Sequence, residues 1–151
     1  MTLYSIALFF HVVGALLLFV LLTVEGFSLR VGRSAARFNQ VAGPASAVLV
    51  LVPGLYMTAS TWGWMGWIVA GITGWVLIAV VGAVTGVTLL RGRLSLRTAA
   101  VSWSVRVGMA LGVVFVMTVK PGALGAALAV LVGALAGFAT RALAVRQVRP
   151  A

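Results

Sequence analysis

The chain has 151 residues, 63% of them hydrophobic and 8% charged, with a mean hydropathy of +1.21. Soluble domains carry about 25% charged residues, and so short a chain has too little interior to hide this many apolar side chains from water. Eleven Lys and Arg against one acid give a net charge of +10, and the absence of Cys excludes disulfides, thiolate metal sites and thioether-linked haem. Lipid is the solvent this composition suits.

The first apolar run, Leu3 to Val24, carries no formal charge. At 1.5 Å per residue it extends ~33 Å, enough to cross the hydrocarbon core. No Lys or Arg precedes it and no small-residue cleavage site stands out, so it reads as a first transmembrane helix and not as a signal peptide. Glu25, the only acid, closes it. From Phe27 to Val41, Arg30, Arg33 and Arg37 recur at spacings of three and four, which would gather them on one helical face. The segment suits a short interfacial helix or a helical extension of the first span; a solvated basic loop is the plainer alternative.

Gly43-Pro44 marks the expected start of the second span, because proline's missing N–H costs nothing in a helix's first turn. That span should run from Pro44 to about Ser60, kinked at Pro53. Thr61 to Trp67 forms an uncharged turn with three tryptophans, a headgroup-level belt rather than a stacking platform for a ligand. The third span is expected over Trp67–Leu90, the fourth over about Ala99–Val119 and the fifth over Ala123–Thr140. Arg91-Gly92-Arg93, Lys120-Pro121-Gly122 and the basic tail follow them in turn.

Five spans place ten cations on one side of the membrane and Lys120 alone on the other. By the positive-inside rule the N-terminus is outside and the C-terminus cytoplasmic. The expected fold is therefore all-α: a polytopic transmembrane bundle of five spans in a single domain, in the cytoplasmic (inner) membrane. Nucleic acid is excluded as partner because the arginines sit at helix ends; anionic lipid is the expected partner. Gly82/Gly86, Gly108/Gly112 and Gly133/Gly137 are Gly-x-x-x-Gly pairs and so candidate contact faces within the bundle. The Gly- and Ala-rich helices also suit a homo-oligomer or a larger membrane complex. No internal repeat stands out, and an odd number of spans argues against a simple inverted-repeat transporter.

Ionisable side chains inside the membrane cost roughly 3 kcal/mol each on insertion scales, so each needs a reason. His11, about two turns into the first span, is a candidate haem or metal ligand, or a neutral ring bonded within the bundle. Glu25 and Arg106 lie toward the cytoplasmic ends of their helices and are expected to form a structural ion pair, since stranding either charge is costly. An arginine-held carboxylate is poorly suited to acid–base work, so no catalytic residue is assigned. Lys120 would cap a helix at the outer side, or join His11 in a site for a carboxylate or propionate.

Leu8-Phe9-Phe10-His11-Val12-Val13-Gly14, Pro53-Gly54-Leu55-Tyr56-Met57, the Trp/Gly turn and Val119-Lys120-Pro121 together resemble an uncharacterised bacterial family of small predicted integral membrane proteins. More remotely, an early first-helix His and a terminal Lys-Pro resemble the HemJ-type membrane protoporphyrinogen oxidases and the CopD-type proteins. The HemJ resemblance implies a haem, haem b, with His11 as its ligand; a haem-binding protein would have Lys120 near the propionates. Five Met and one His fall short of copper handling. Three functions are thus in view: a non-enzymatic accessory or assembly protein first, then a haem- or porphyrin-binding protein, then a small-solute or ion carrier with Pro53, Arg106 and His11 along its path.

Overall fold

A computed structural model describes residues 2–147, with side chains through 143. Among them are five helices: α1 (Leu3–Arg30), α2 (Ala36–Met57), α3 (Gly66–Leu90), α4 (Leu96–Val119) and α5 (Ala123–Gln147). All five are long and apolar enough to cross a membrane, as a multi-pass protein requires. Large apolar side chains point outward along them, with Leu16 62% and Val132 61% exposed, which suits a surface solvated by acyl chains. The chain divides into two compact units, Met1–Met65 and Gly66–Ala151.

The first unit is the antiparallel hairpin of α1 and α2. Helix α1 starts where the Thr2 side chain accepts from the Ser5 N–H and continues past Glu25 to Arg30. Gly32, at φ +72°, then lets the chain reverse: the Arg33 N–H reaches the Ser28 carbonyl at 2.8 Å and the Gly32 N–H the Leu29 carbonyl at 3.3 Å. The expected second-span start at Pro44 is corrected, since α2 begins at Ala36. The Ser34 hydroxyl accepts the Ala36 N–H, and Ala35 and Ala36 are buried at the turn, so the helix has a nucleus well before the proline. Pro44 and Pro53 both lie inside α2. Arg30, Arg33 and Arg37 therefore fall in α1, the turn and α2 respectively, and share no helical face.

Helix α2 widens at its end into a π-helical turn, Thr58–Trp62, closed by the Gly63 N–H on the Thr58 carbonyl at 2.8 Å. There the Trp62 indole N–H donates to the Tyr4 hydroxyl at 3.2 Å, tying the open end of the hairpin.

In the second unit α4 packs against both α3 and α5, and α3 and α5 also meet each other, at Gly66 beside Ala123 and Gly74 beside Val130. Its N-cap is Ser95, whose hydroxyl accepts the Thr98 N–H, so it starts three residues before the expected Ala99. Both later glycine pairs meet at the α4–α5 seam. A Cβ added at Gly108 would overlap the Gly133 carbonyl, one at Gly133 the Gly108 carbonyl, and one at Gly137 the Ser104 carbonyl. One at Gly112 would lie 2.7 Å from the Ala129 oxygen. The two backbones touch, and only glycine fits between them. On α3, Gly71 and Gly74 do the same for the side chains of Met117 and Val113. Of the third basic cluster, Arg149 lies outside the described residues and Arg146 outside the described side chains.

Candidate functional site

Tyr4, Ala7, His11 and Gly14 follow one another at three- and four-residue steps, which places them on a single face of α1. That face meets α2. Gly14 is where the helices come closest: an added Cβ would lie 2.7 Å from the Leu49 carbonyl carbon. Beside it the Ser46 hydroxyl donates to the Gly14 carbonyl at 3.1 Å. One turn away, His11 Nδ1 stands 2.8 Å from the Val50 carbonyl.

A carbonyl oxygen only accepts, so Nδ1 carries the proton. The neutral ring is then the Nδ1–H tautomer, and Nε2 keeps a lone pair. Gly54 makes room for this arrangement, because a Cβ there would sit 3.1 Å from Nδ1 and 3.2 Å from Cε1. Pro53 has no N–H for the Leu49 carbonyl, which loosens the helical ladder one residue from the carbonyl that His11 bonds. The sequence singles out His11 and the Pro53-Gly54 pair but carries no signal joining them, because His11's partner is a backbone carbonyl.

Glu25 is placed by the other end of the same hairpin. The Asn39 side-chain amide donates to Glu25 Oε2 at 3.1 Å, across the turn. Sequence reading misses Asn39; its signal is a polar residue in the first turns of an otherwise apolar span. The expected partner of Glu25, Arg106, belongs to the second unit, on α4. It is 5% exposed, and its guanidinium lies across Gly82 of α3, with Nη1 3.1 Å from where a Cβ would stand. Gly82 thus works as a slot for an arginine stem. One turn further, the Thr85 and Ser102 hydroxyls share a hydrogen bond of 2.7 Å between α3 and α4.

Lys120 is the C-cap of α4 and takes a left-handed conformation, φ 53°, unusual for a residue with a Cβ. Its Nζ lies 5.6 Å from the centre of the Trp67 ring, at the start of α3. That is a cation–π contact inside the second unit, while His11 sits in the first. Among the described residues no group of three His, Cys, Asp or Glu is placed to hold a metal ion. His11 is one nitrogen donor whose tautomer is set by the Val50 carbonyl. No protein-family model, curated protein or solved structure matches the chain.

Proposed function

We propose that this is a non-enzymatic multi-pass protein of the cytoplasmic membrane, N-terminus out and C-terminus inside, acting as an accessory or assembly component. The observation that carries the reading is how the polar side chains in the spans are used. His11 holds Val50, Ser46 holds Gly14, Asn39 holds Glu25, and Thr85 holds Ser102. Each is an interhelical tie, the use polar groups have when a bundle must be rigid in lipid. A catalyst or carrier would instead aim such groups at a shared space. Membrane association through apolar, glycine-lined helices suits assembly with further helices, of a second copy or of another membrane protein. The test is detergent-purified full-length protein: a colourless spectrum after expression with ample haem, and a His11→Ala protein that still inserts in the membrane and keeps its function while losing stability, are the results this reading requires.

One observation favours a second reading. Donation of Nδ1–H to a backbone carbonyl is the arrangement that orients a ligating imidazole and raises its basicity, leaving Nε2 for iron. A haem-binding protein would use His11 in this way, and the haem would supply electron transfer or porphyrin binding. A Soret band lost in His11→Ala would establish it and displace the first reading.

A further inference from the structure

The two helical hairpins turn on closely similar stretches of chain. Helix α1 ends at Arg30 and α3 at Leu90, and α2 begins at Ala36 and α4 at Leu96, so the ends of both pairs are offset by the same 60 residues. Gly32 and Gly92 both have positive φ, +72° and +67°. The Arg33 N–H bonds the Ser28 carbonyl at 2.8 Å, and the Arg93 N–H bonds the Thr88 carbonyl at 2.9 Å. A serine hydroxyl accepts a backbone N–H at the start of the following helix in each case, Ser34 from Ala36 and Ser95, one position off the 60-residue register, from Thr98. At the same offset Gly14 matches Gly74, Leu29 matches Leu89, and Met57-Thr58 matches Met117-Thr118. The chain is a tandem pair of hairpins followed by α5. Within the turns, Gly-Arg-x-x-x-Arg recurs as Gly32, Arg33, Arg37 and as Gly92, Arg93, Arg97.

Backbone geometry accounts for the glycines but not for the arginines. Arg37 and Arg97 sit in the first turns of α2 and α4, where the helix dipole opposes a cation, and neither first turn holds an acid. A positive-inside signal needs cations on one side only, and the C-terminal turns of α1 and α3 would hold them more favourably. The chain's one acidic side chain, Glu25, receives Asn39. Arg33, Arg37, Arg93 and Arg97 are all exposed. With a single acid in the chain, their counter-charge comes from outside it.

We propose that each turn is a clamp for the phosphate of an anionic lipid headgroup, held by Arg33 with Arg37 in the first hairpin and by Arg93 with Arg97 in the second. This rests on the reading of the five helices as spans with these turns at a membrane surface. Two guanidiniums can each meet a phosphate through paired N–H donors, and the lipid's negative charge relieves the unfavourable dipole interaction of Arg37 and Arg97. Because the lipid's acyl chains lie in the same bilayer as the helices, a lipid phosphate is available at the turns where a free anion must be drawn from water.

The test is native mass spectrometry of the full-length protein in detergent, titrated with phosphatidylglycerol, phosphatidylcholine or inorganic phosphate. Two phosphatidylglycerol molecules are expected to be retained in preference to phosphatidylcholine. Arg33→Gln/Arg37→Gln and Arg93→Gln/Arg97→Gln should each lose one, with affinity at that turn down roughly thirtyfold. Arg30→Gln/Arg91→Gln also removes two charges, one from each turn and outside the repeated positions, and should retain both. Arg→Lys at the four positions keeps charge and fold but loses the paired donors, so weakened retention supports the clamp and unchanged retention overturns it. Equal loss in the Arg30/Arg91 control, equal retention of phosphatidylcholine, or displacement by inorganic phosphate at equal concentration each overturns it too. A chain recovered in the soluble fraction would instead overturn the membrane reading beneath it.

Discussion

His11 donates its Nδ1 proton to the carbonyl of Val50, three residues before Pro53, and so stitches α1 to the turn of α2 that proline has loosened. The bond unites two features that lie far apart in the chain, a lone intramembrane imidazole and a mid-helix proline. Its energetic scale follows from what is left when it goes. The Val50 carbonyl would stand in an apolar seam with one fewer donor, at a cost of about 1 kcal/mol, and truncation of the ring adds a cavity term.

His11→Ala should therefore lower the stability of the protein in mixed micelles by about 2 kcal/mol, while His11→Phe, which refills the volume, recovers only part of that. Gly54→Leu drives a side chain into the ring and should break the same bond. Denaturation of the double variant His11→Ala/Gly54→Leu should cost clearly less than the two single losses added together. Strict additivity would show that the ring and Gly54 do not act as one unit. The tautomer has its own check: 15N spectra of labelled protein should show a protonated Nδ1 and a lone pair on Nε2.

The α4–α5 seam makes a steeper prediction. Gly108, Gly133 and Gly137 have neighbouring backbone where a Cβ would go, so no side chain can yield to make room. Gly133→Leu or Gly137→Leu should cost about 3 kcal/mol or more and release α5 from α4, read as protease sensitivity after Gly122 and loss of thermal stability. Gly122→Ala, with open space around it, is the control and should melt close to the parent protein.

Most of the architecture is legible in the sequence because the punctuation is strong. The expected Trp67–Leu90 differs by one residue from the observed Gly66–Leu90, since tryptophans bracket one end and Arg91-Gly92-Arg93 the other. The start of α2 is hidden because Gly43-Pro44 looks like a helix start in sequence, while the real one depends on the burial of Ala35 and Ala36 and on the Ser34 hydroxyl. Gly-x-x-x-Gly pairs mark contact faces, but only coordinates reveal that Gly108 faces Gly133. The hairpin repeat escapes a reading of the sequence because its identities are scattered among Val, Leu and Gly, residues that recur by chance in any apolar chain. Coincident helix ends bring it out. The site is the least legible part: His11, Glu25, Arg106 and Lys120 all stand out, yet their observed neighbours Val50, Asn39, Gly82 and Trp67 carry little or no sequence signature.

Lys120 offers a prediction in which two effects oppose. Its left-handed backbone costs on the order of 1 kcal/mol for a residue with a Cβ, and its ammonium over Trp67 returns somewhat less at an exposed position. Lys120→Met keeps the backbone strain and loses the cation. Lys120→Gly loses the cation but relieves the strain, so it should be the more stable of the two by about 1 kcal/mol in thermal denaturation. In a Trp67→Leu background, Lys120→Met should no longer change stability, while Lys120→Gly should keep its advantage. If Lys120→Met matches the parent and Trp67→Leu changes nothing, the cation–π contact has no energetic weight.

Orientation in the membrane gives the last prediction. With nine of eleven cations in three clusters, Arg30 to Arg37 about the α1–α2 turn, Arg91 to Arg97 about the α3–α4 turn and Arg141 to Arg149 at the C-terminal end, reporter domains fused after Arg33, Arg93 or Ala151 should be cytosolic, and those fused after Trp64 or Gly122 exported. The first hairpin should be the sensitive one. Replacing Arg30, Arg33 and Arg37 by Gln and placing three lysines among residues 63–65 removes the bias that holds the α1–α2 turn inside, and part of the population should then export a reporter placed after residue 33. The α3–α4 turn keeps Arg91, Arg93 and Arg97 and should hold its side, leaving the first hairpin frustrated rather than the whole protein inverted. A reporter at Arg93 that became exported together with the one at 33 would show that the first basic cluster alone sets the orientation of all five helices.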